Sequence, residues 1–404
     1  MNTKHKSVNT RKIGLVPSPG LAAQVTQKIA DTLPIYLNKM VDDTVEWQPE
    51  LIIDPIVGSA EYLNKLIDKL VNLKHKYDWD SVICITDLPH FMNKHVVVAD
   101  VNIYQQIGLI SIPAFGSFPI KKNVKQMTAN ILNDFQSKER SKTNFTPYFS
   151  FIRRYDFTNT TNDKRKLNEQ TNDTQAQERK HTDKDANDED YTQEDIEEKS
   201  DVRYIIQSKY LGQMKLLTGM TFANRPWNTL ISLKKIIVFA LGTGIYITIF
   251  PTPWELSMLY TLPRFITLML VTILGMVIWI IFAHQLWEKR TSKGDPRLRK
   301  LYNYTTVTSL IGVMFVNYII LFCLFLATIA VFVPPGLFEI GTNLDGEPSV
   351  QHYFRLTWLI TSLGTIAGSI GTTSENEKNI QLATYSYRQI ARYNEIQKND
   401  DNNN

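Results

Sequence analysis

The sequence predicts a two-part protein: an N-terminal α/β domain with a mostly parallel sheet and helices on both faces, then an all-α membrane bundle of four transmembrane helices. Three observations lead there. Continuous apolar runs alternate with amphipathic helical patterns in the first third of the chain, as buried strands covered on both faces do. Four long apolar stretches fill the last part, and a charged segment almost free of aliphatic residues lies between the two.

After a flexible N-terminus (1–10), the α/β domain is expected over 11–155. "KIGLVPSPG" reads as a strand stopped by Pro-Ser-Pro-Gly, and "LAAQVTQKIADTLPIYLNKMV" as a helix broken or kinked near Pro34. "TVEWQPELIID" alternates like a strand and ends at Asp54-Pro55. "SAEYLNKLIDKLVNLKHKY" has the spacing of an amphipathic helix with Ser59 as its cap. "SVICITD", "HVVVADV" and "IGLISIPAF" are strands, the last two close enough to pair antiparallel, and "KKNVKQMTANILNDF" is a helix.

Residues 156–201 are too polar and too charged to bury a core, so they are expected to be a disordered charged linker. Beyond it Val202, Ile205, Ile206, Tyr210, Met214 and Leu217 recur at three- and four-residue spacing among Arg203, Lys209 and Lys215. That predicts a basic juxtamembrane amphipathic helix (202–228), lying on the membrane surface or against the soluble domain and ended by Pro226.

The expected spans are about 230–250, 265–284, 305–333 and 353–371, within a transmembrane domain over 229–371. Each is long and apolar enough to cross a bilayer, which needs roughly 20 residues. The loop after the second span carries Lys289, Arg290, Lys293, Arg297, Arg299 and Lys300, whereas the loop after the third carries Glu339, Asp345 and Glu347 and no Lys or Arg. The positive-inside rule then makes this a multi-pass cell-membrane protein with both termini cytoplasmic. Residues 372–404 form a cytoplasmic helix and a disordered tail in this reading. The midplanes hold almost no ionisable side chains, which argues against ion-coupled transport. Asn317 is the polar exception, read as an interhelical hydrogen bond, and Gly364 and Gly368 form a GxxxG packing face.

Bulk composition excludes several classes. The 404 residues carry 44 Lys and Arg against 40 Asp and Glu, a net charge of +4 that names no nucleic-acid partner. Cys84 and Cys323 are isolated, so there is neither a disulfide framework nor a CxxC metal site. No His is followed by Glu, which removes the HExxH zinc-hydrolase motif, and Cys84 sits among Ile and Val as packing. The basic N-terminus has no apolar core and is expected not to be a signal peptide.

Ligands of open α/β sheets bind beyond the carboxyl ends of the strands. The polar residues expected there are Ser18, Asp54, Thr86, Asp87 and Asp100, with His90 and His95 nearby. Three carboxylates from three strand ends would suit a cation or ligand hydroxyls; the competing reading makes each Asp a turn cap. "PSPGLA" before a helix N-terminus would suit an anion. No metal site, catalytic residue or cofactor is assigned.

"WDSVICITDLPHF…VVVADV…GLISIPAFG", "LLTGMTFANRPW", "LWEKR", "LYNYTTV", "SLGTIAGSIG" and "ATYSYRQIAR" resemble a family of uncharacterised bacterial four-span membrane proteins. Its members are often labelled 5,10-methylene-tetrahydrofolate dehydrogenase. The resemblance covers the soluble domain and the bundle and implies that architecture. The label implies a folate reaction, but the catalytic Lys and dinucleotide fingerprint of soluble folate dehydrogenases are not found in this sequence. The leading expectation is a cytoplasmic ligand- or protein-binding domain for sensing or scaffolding. The alternatives are a membrane-tethered enzyme on a folate- or nucleotide-like ligand and, lower, an oligomeric transport component. Expected partners are the lipid bilayer, a second copy of the chain through the bundle, and a cytoplasmic protein.

Overall fold

A computed structural model describes residues 9–58, 63–92, 95–136, 149–156, 201–224, 234–288, 296–344 and 346–372. The chain divides into two compact units, 1–223 and 224–390.

The first unit is built on one mixed sheet. Its strands are β1 (Asn9–Pro17), β2 (Val45–Leu51), β3 (Ser81–Thr86), β4 (His90–Met92), β5 (His95–Asn102), β6 (Ile107–Ser111), β7 (Ile152–Asp156) and β8 (Val202–Ile206). The order is β2-β1-β3-β6-β5-β8-β7, with β4 also paired to β5. Pairings from β2 through β6 are parallel, with Leu15 beside Leu51 and Ile83. Pairings from β6 through β7 are antiparallel. The expectation of a mostly parallel sheet therefore holds for one half only. The tight β5–β6 turn forces an antiparallel pair, because a parallel one needs a crossover of a dozen or more residues.

Helices α1 (Leu21–Ala30), α2 (Leu33–Met40), α3 (Leu63–Lys76) and α4 (Ile120–Gln136) cover the sheet. Leu66 and Leu70 of α3 pack on Val16, Val82, Cys84 and Leu109. Alternation turns Gly108 to the other face, where it meets Ile131 of α4. α1 and α2 lie against α4 on that face. Cys84 is fully buried in the core, as expected.

The largest difference from the sequence reading concerns residues 202–206. They are not the start of a helix but strand β8, buried along its whole length between β5 and β7. A five-residue apolar run does not separate the two periods, and the β-branched Val202, Ile205 and Ile206 with Tyr204 favour the strand. Asp156 of β7 stands opposite Val202 of β8. Residues 157–200 are thus an insertion within a β-hairpin, not a connection between domains, and the α/β unit does not end at 155. The expected disorder of that segment lies outside the described residues.

The helix begins only at α5 (Lys209–Ala223), where Ser208 Oγ accepts from the Leu211 N–H at 3.4 Å. α5 lies against the sheet unit: a Cβ on Gly219 would stand 2.2 Å from the Pro113 carbonyl oxygen, so only glycine allows that approach.

The second unit is helical: α6 (Lys234–Thr248), α7 (Pro251–Leu259), α8 (Leu262–Ala283), α9 (Pro296–Phe332), α10 (Pro335–Thr342), α11 (Val350–Ala367) and α12 (Ser369–Thr372). Two helices, α8 and α9 from Leu298, are long and apolar enough to cross a membrane, and a third crossing results if α6 and α7 count as one span. That pair bends by 91°, and the bend falls at the end of the first expected span, of which α6 fills 234–248. Pro251 and Pro253 cannot continue α6 but fit the first turn of a new helix. α11 covers the fourth expected span, but Arg355 and its Thr and Ser residues make it less apolar.

Candidate functional site

The parallel half has its topological switch point between β1 and β3, since the chain leaves β1 toward β2 and returns on the other side. Ligands of such sheets sit outside the carboxyl ends at that point. Ser18 follows β1 and Asp87 follows β3, and Ser18 Oγ donates to Asp87 Oδ1 at 3.0 Å across the crevice. Both are almost wholly buried. The Ser18 N–H donates to the Ile85 carbonyl and the Ala23 N–H to the Ser18 carbonyl, which fixes the start of α1 over the same point.

The neighbouring predicted residues are engaged in tying loops. Thr86 Oγ1 donates to the Val57 carbonyl at 2.7 Å and accepts from the Leu88 N–H at 3.1 Å. Ser111 Oγ, at the end of β6, donates to the Leu88 carbonyl at 2.6 Å. Asp54 pairs with Lys69 of α3 at 2.7 Å. Thr86 ties its own turn through backbone groups and Asp54 forms an ion pair with α3, while the Ser18–Asp87 pair joins two different strands.

Asp100 does not converge with Asp54 and Asp87. β5 runs antiparallel to β6, so its carboxyl end lies at the opposite edge of the sheet. Asp100 stands opposite Leu109 on one side and Arg203 on the other, on the face covered by α3. Arg203 Nε donates to Asp100 Oδ1, and His90 Nε2 lies 3.4 Å from Oδ2. All three side chains are buried, Arg203 to 2% and Asp100 to 4% exposure. Burial holds the His90 imidazole below its ordinary range; Asp100 opposes that shift and Arg203 adds to it. His95 is separate, with Nδ1 3.2 Å from the Ile206 carbonyl oxygen. Among the described residues no group of three or more His, Cys, Asp or Glu is placed to hold a metal ion. The three-carboxylate cation site is therefore not formed.

A second ionic network occupies the other face of β8. Tyr204 Oη donates to Asp134 Oδ2 at 2.6 Å, and Arg154 bridges Asp134 and Asp156. Burial raises the Asp134 carboxyl, which its Arg154 and Tyr204 contacts oppose. Sequence reasoning missed Arg203, Tyr204, Asp134 and Arg154 because β8 had been assigned to a helix. The available signal was an arginine inside a β-branched run, which requires a buried acid once the run is a strand.

In the bundle, Gly364 and Gly368 form a close-packed face as read: a Cβ on either would lie 3.0 Å from the Ala240 or the Ile236 carbonyl oxygen of α6. Asn317 makes no interhelical hydrogen bond; both polar atoms of its amide are buried without a partner. Arg355 of α11 donates from Nε to the Ser257 carbonyl at 2.9 Å and from a terminal nitrogen to those of Met258 and Tyr260. It thereby satisfies the carbonyls at the end of α7.

The fold and site define a class: a mixed-sheet α/β domain with a buried Ser–Asp pair at its switch point, followed in the chain by a helical unit carrying membrane-length helices. No known protein family, curated protein or solved structure matches the chain.

Proposed function

We propose that the protein is a multi-pass membrane protein of four crossings whose α/β domain and both termini are cytoplasmic, and that the domain binds a small ligand at the β1–β3 switch point as a sensing or scaffold module. The observation that carries the ligand reading is the Ser18–Asp87 hydrogen bond across that point, with a buried carboxylate held at the strand ends beside the start of α1. A carboxylate there suits ligand hydroxyl or amino groups. The crossings are supported by the apolar outward face of α8, where Leu270, Val271, Leu274, Ile278 and Phe282 are exposed. The basic loop over 289–300 supports the orientation.

The test is a thermal-shift screen of the full chain in nanodiscs against nucleotides, folates and divalent metals. Stabilisation by one ligand that disappears in Ser18→Ala and Asp87→Asn, with both variants still folded, supports the site. A folate or nucleotide that is also turned over would favour the membrane-tethered enzyme. Absence of stabilisation by every compound removes the ligand reading and leaves protein binding.

A further inference from the structure

We propose that the outward face of α5, with Phe118 beside it, docks onto an anionic lipid headgroup surface; the proposal rests on the membrane-spanning reading of the bundle. α5 packs inward through Gly212 against Val96 and Ile206, through buried Leu216 and Met220, and through Gly219 against Pro113. Its outward side exposes large apolar groups, Tyr210 at 84%, Met214 at 60% and Leu211 at 41%, among the polar Gln213 and Thr218. Phe118 is 75% exposed and meets Phe222 of α5 edge-on at 5.2 Å, which extends the patch beyond the helix. Large apolar groups exposed together on one helix face in this way mark an interaction site.

Charge identifies the occupant. Residues 207–224 and 116–133 carry no Asp or Glu, and Lys209, Lys121 and Lys122 are exposed there, while Lys215 lies over the Phe151 ring at 4.1 Å and Lys125 donates to Thr32 Oγ1. An apolar face with a rim of lysines is how an interfacial helix meets anionic lipid, with aromatic and aliphatic groups among the headgroups and the amines toward phosphate. The chain also stays within reach. It passes from Ala223 through residues 224–233 into α6, and ten residues extend at most about 35 Å. A soluble partner would not need that proximity.

The experiment is spin-label accessibility on the full chain in nanodiscs, in a Cys323→Ser background that leaves buried Cys84 unlabelled. Labels at Met214→Cys and Phe118→Cys are compared with Tyr104→Cys, which is 84% exposed in the β5–β6 turn. In discs of phosphatidylcholine with phosphatidylglycerol, oxygen accessibility at 214 and 118 should rise and that of a water-soluble nickel chelate should fall several-fold below position 104. Lys121→Gln with Lys122→Gln should weaken the protection. Chelate accessibility equal to that at position 104 would overturn the proposal, as would low accessibility to both reagents, which means burial by protein. A label at Ile278→Cys on α8 separates the failures: if it too is water-accessible, the membrane-spanning reading fails first.

Discussion

At the scale of single residues, the His90–Asp100–Arg203 cluster makes the sharpest predictions. A buried ion pair that loses one partner strands a charge, so Arg203→Ala should cost about 3–5 kcal/mol. Asp100→Asn combined with Arg203→Met should recover most of that loss, since the stranded charge is gone. Chemical denaturation of the full chain, following the α/β unit, measures both. His90 adds a pH dependence. Its folded imidazole is held below the ordinary value of 6.5 by burial. The unfolded chain therefore takes up a proton near pH 6.5 that the folded chain refuses. Its contribution is fully present above that pH and is lost as pH falls below it. His90→Gln should flatten the decline in melting temperature over that acid range; an unchanged slope would place the titration elsewhere. Sequence reading found His90 and Asp100 but assigned them to a strand-end site. Strand direction decides which carboxylates meet: the short β5–β6 turn already signals an antiparallel pair, which sends Asp100 away from Asp54 and Asp87, and the strand-end grouping ignores that signal.

At the scale of elements, β8 accounts for most of the difference between the sequence and the structure. The strands of the parallel half and helices α1 to α4 were legible because each carries its own period or turn signal. β8 was not, because its five residues continue into the apolar spacing of α5 and its sheet partners lie far away in sequence. Replacing residues 157–200 with a short Asn-Gly turn should leave the melting of the α/β unit unchanged, because Asp156 and Val202 already face each other. A fragment ending at 155 should fail to fold, since it strips β5 and β7 of the strand between them. Circular dichroism and size-exclusion chromatography distinguish these outcomes. In the bundle, Gly364→Leu should destabilise by more than Gly242→Leu, because the first would press on the Ala240 backbone while a Cβ at the second would meet no other part of the protein within 4 Å.

At the scale of the whole molecule, the long apolar segments were the clearest feature of the sequence. Composition alone carries that signal, and the membrane-length α8 and α9 agree with it. The bend after α6 was less visible, although Pro251 and Pro253 mark it. What the sequence concealed is where the α/β unit ends along the chain. A charged stretch between two apolar blocks reads as a tether, yet the sheet closes across it, and the strand that returns leads directly through α5 toward the bundle. The most direct test is to place a specific protease site at residue 180, cut the purified protein in detergent, where no bilayer can retain a fragment, and run size-exclusion chromatography. The two pieces should co-elute until denaturant separates them, because β8 stays paired between β5 and β7. Elution of the N-terminal piece on its own immediately after cleavage would contradict the account.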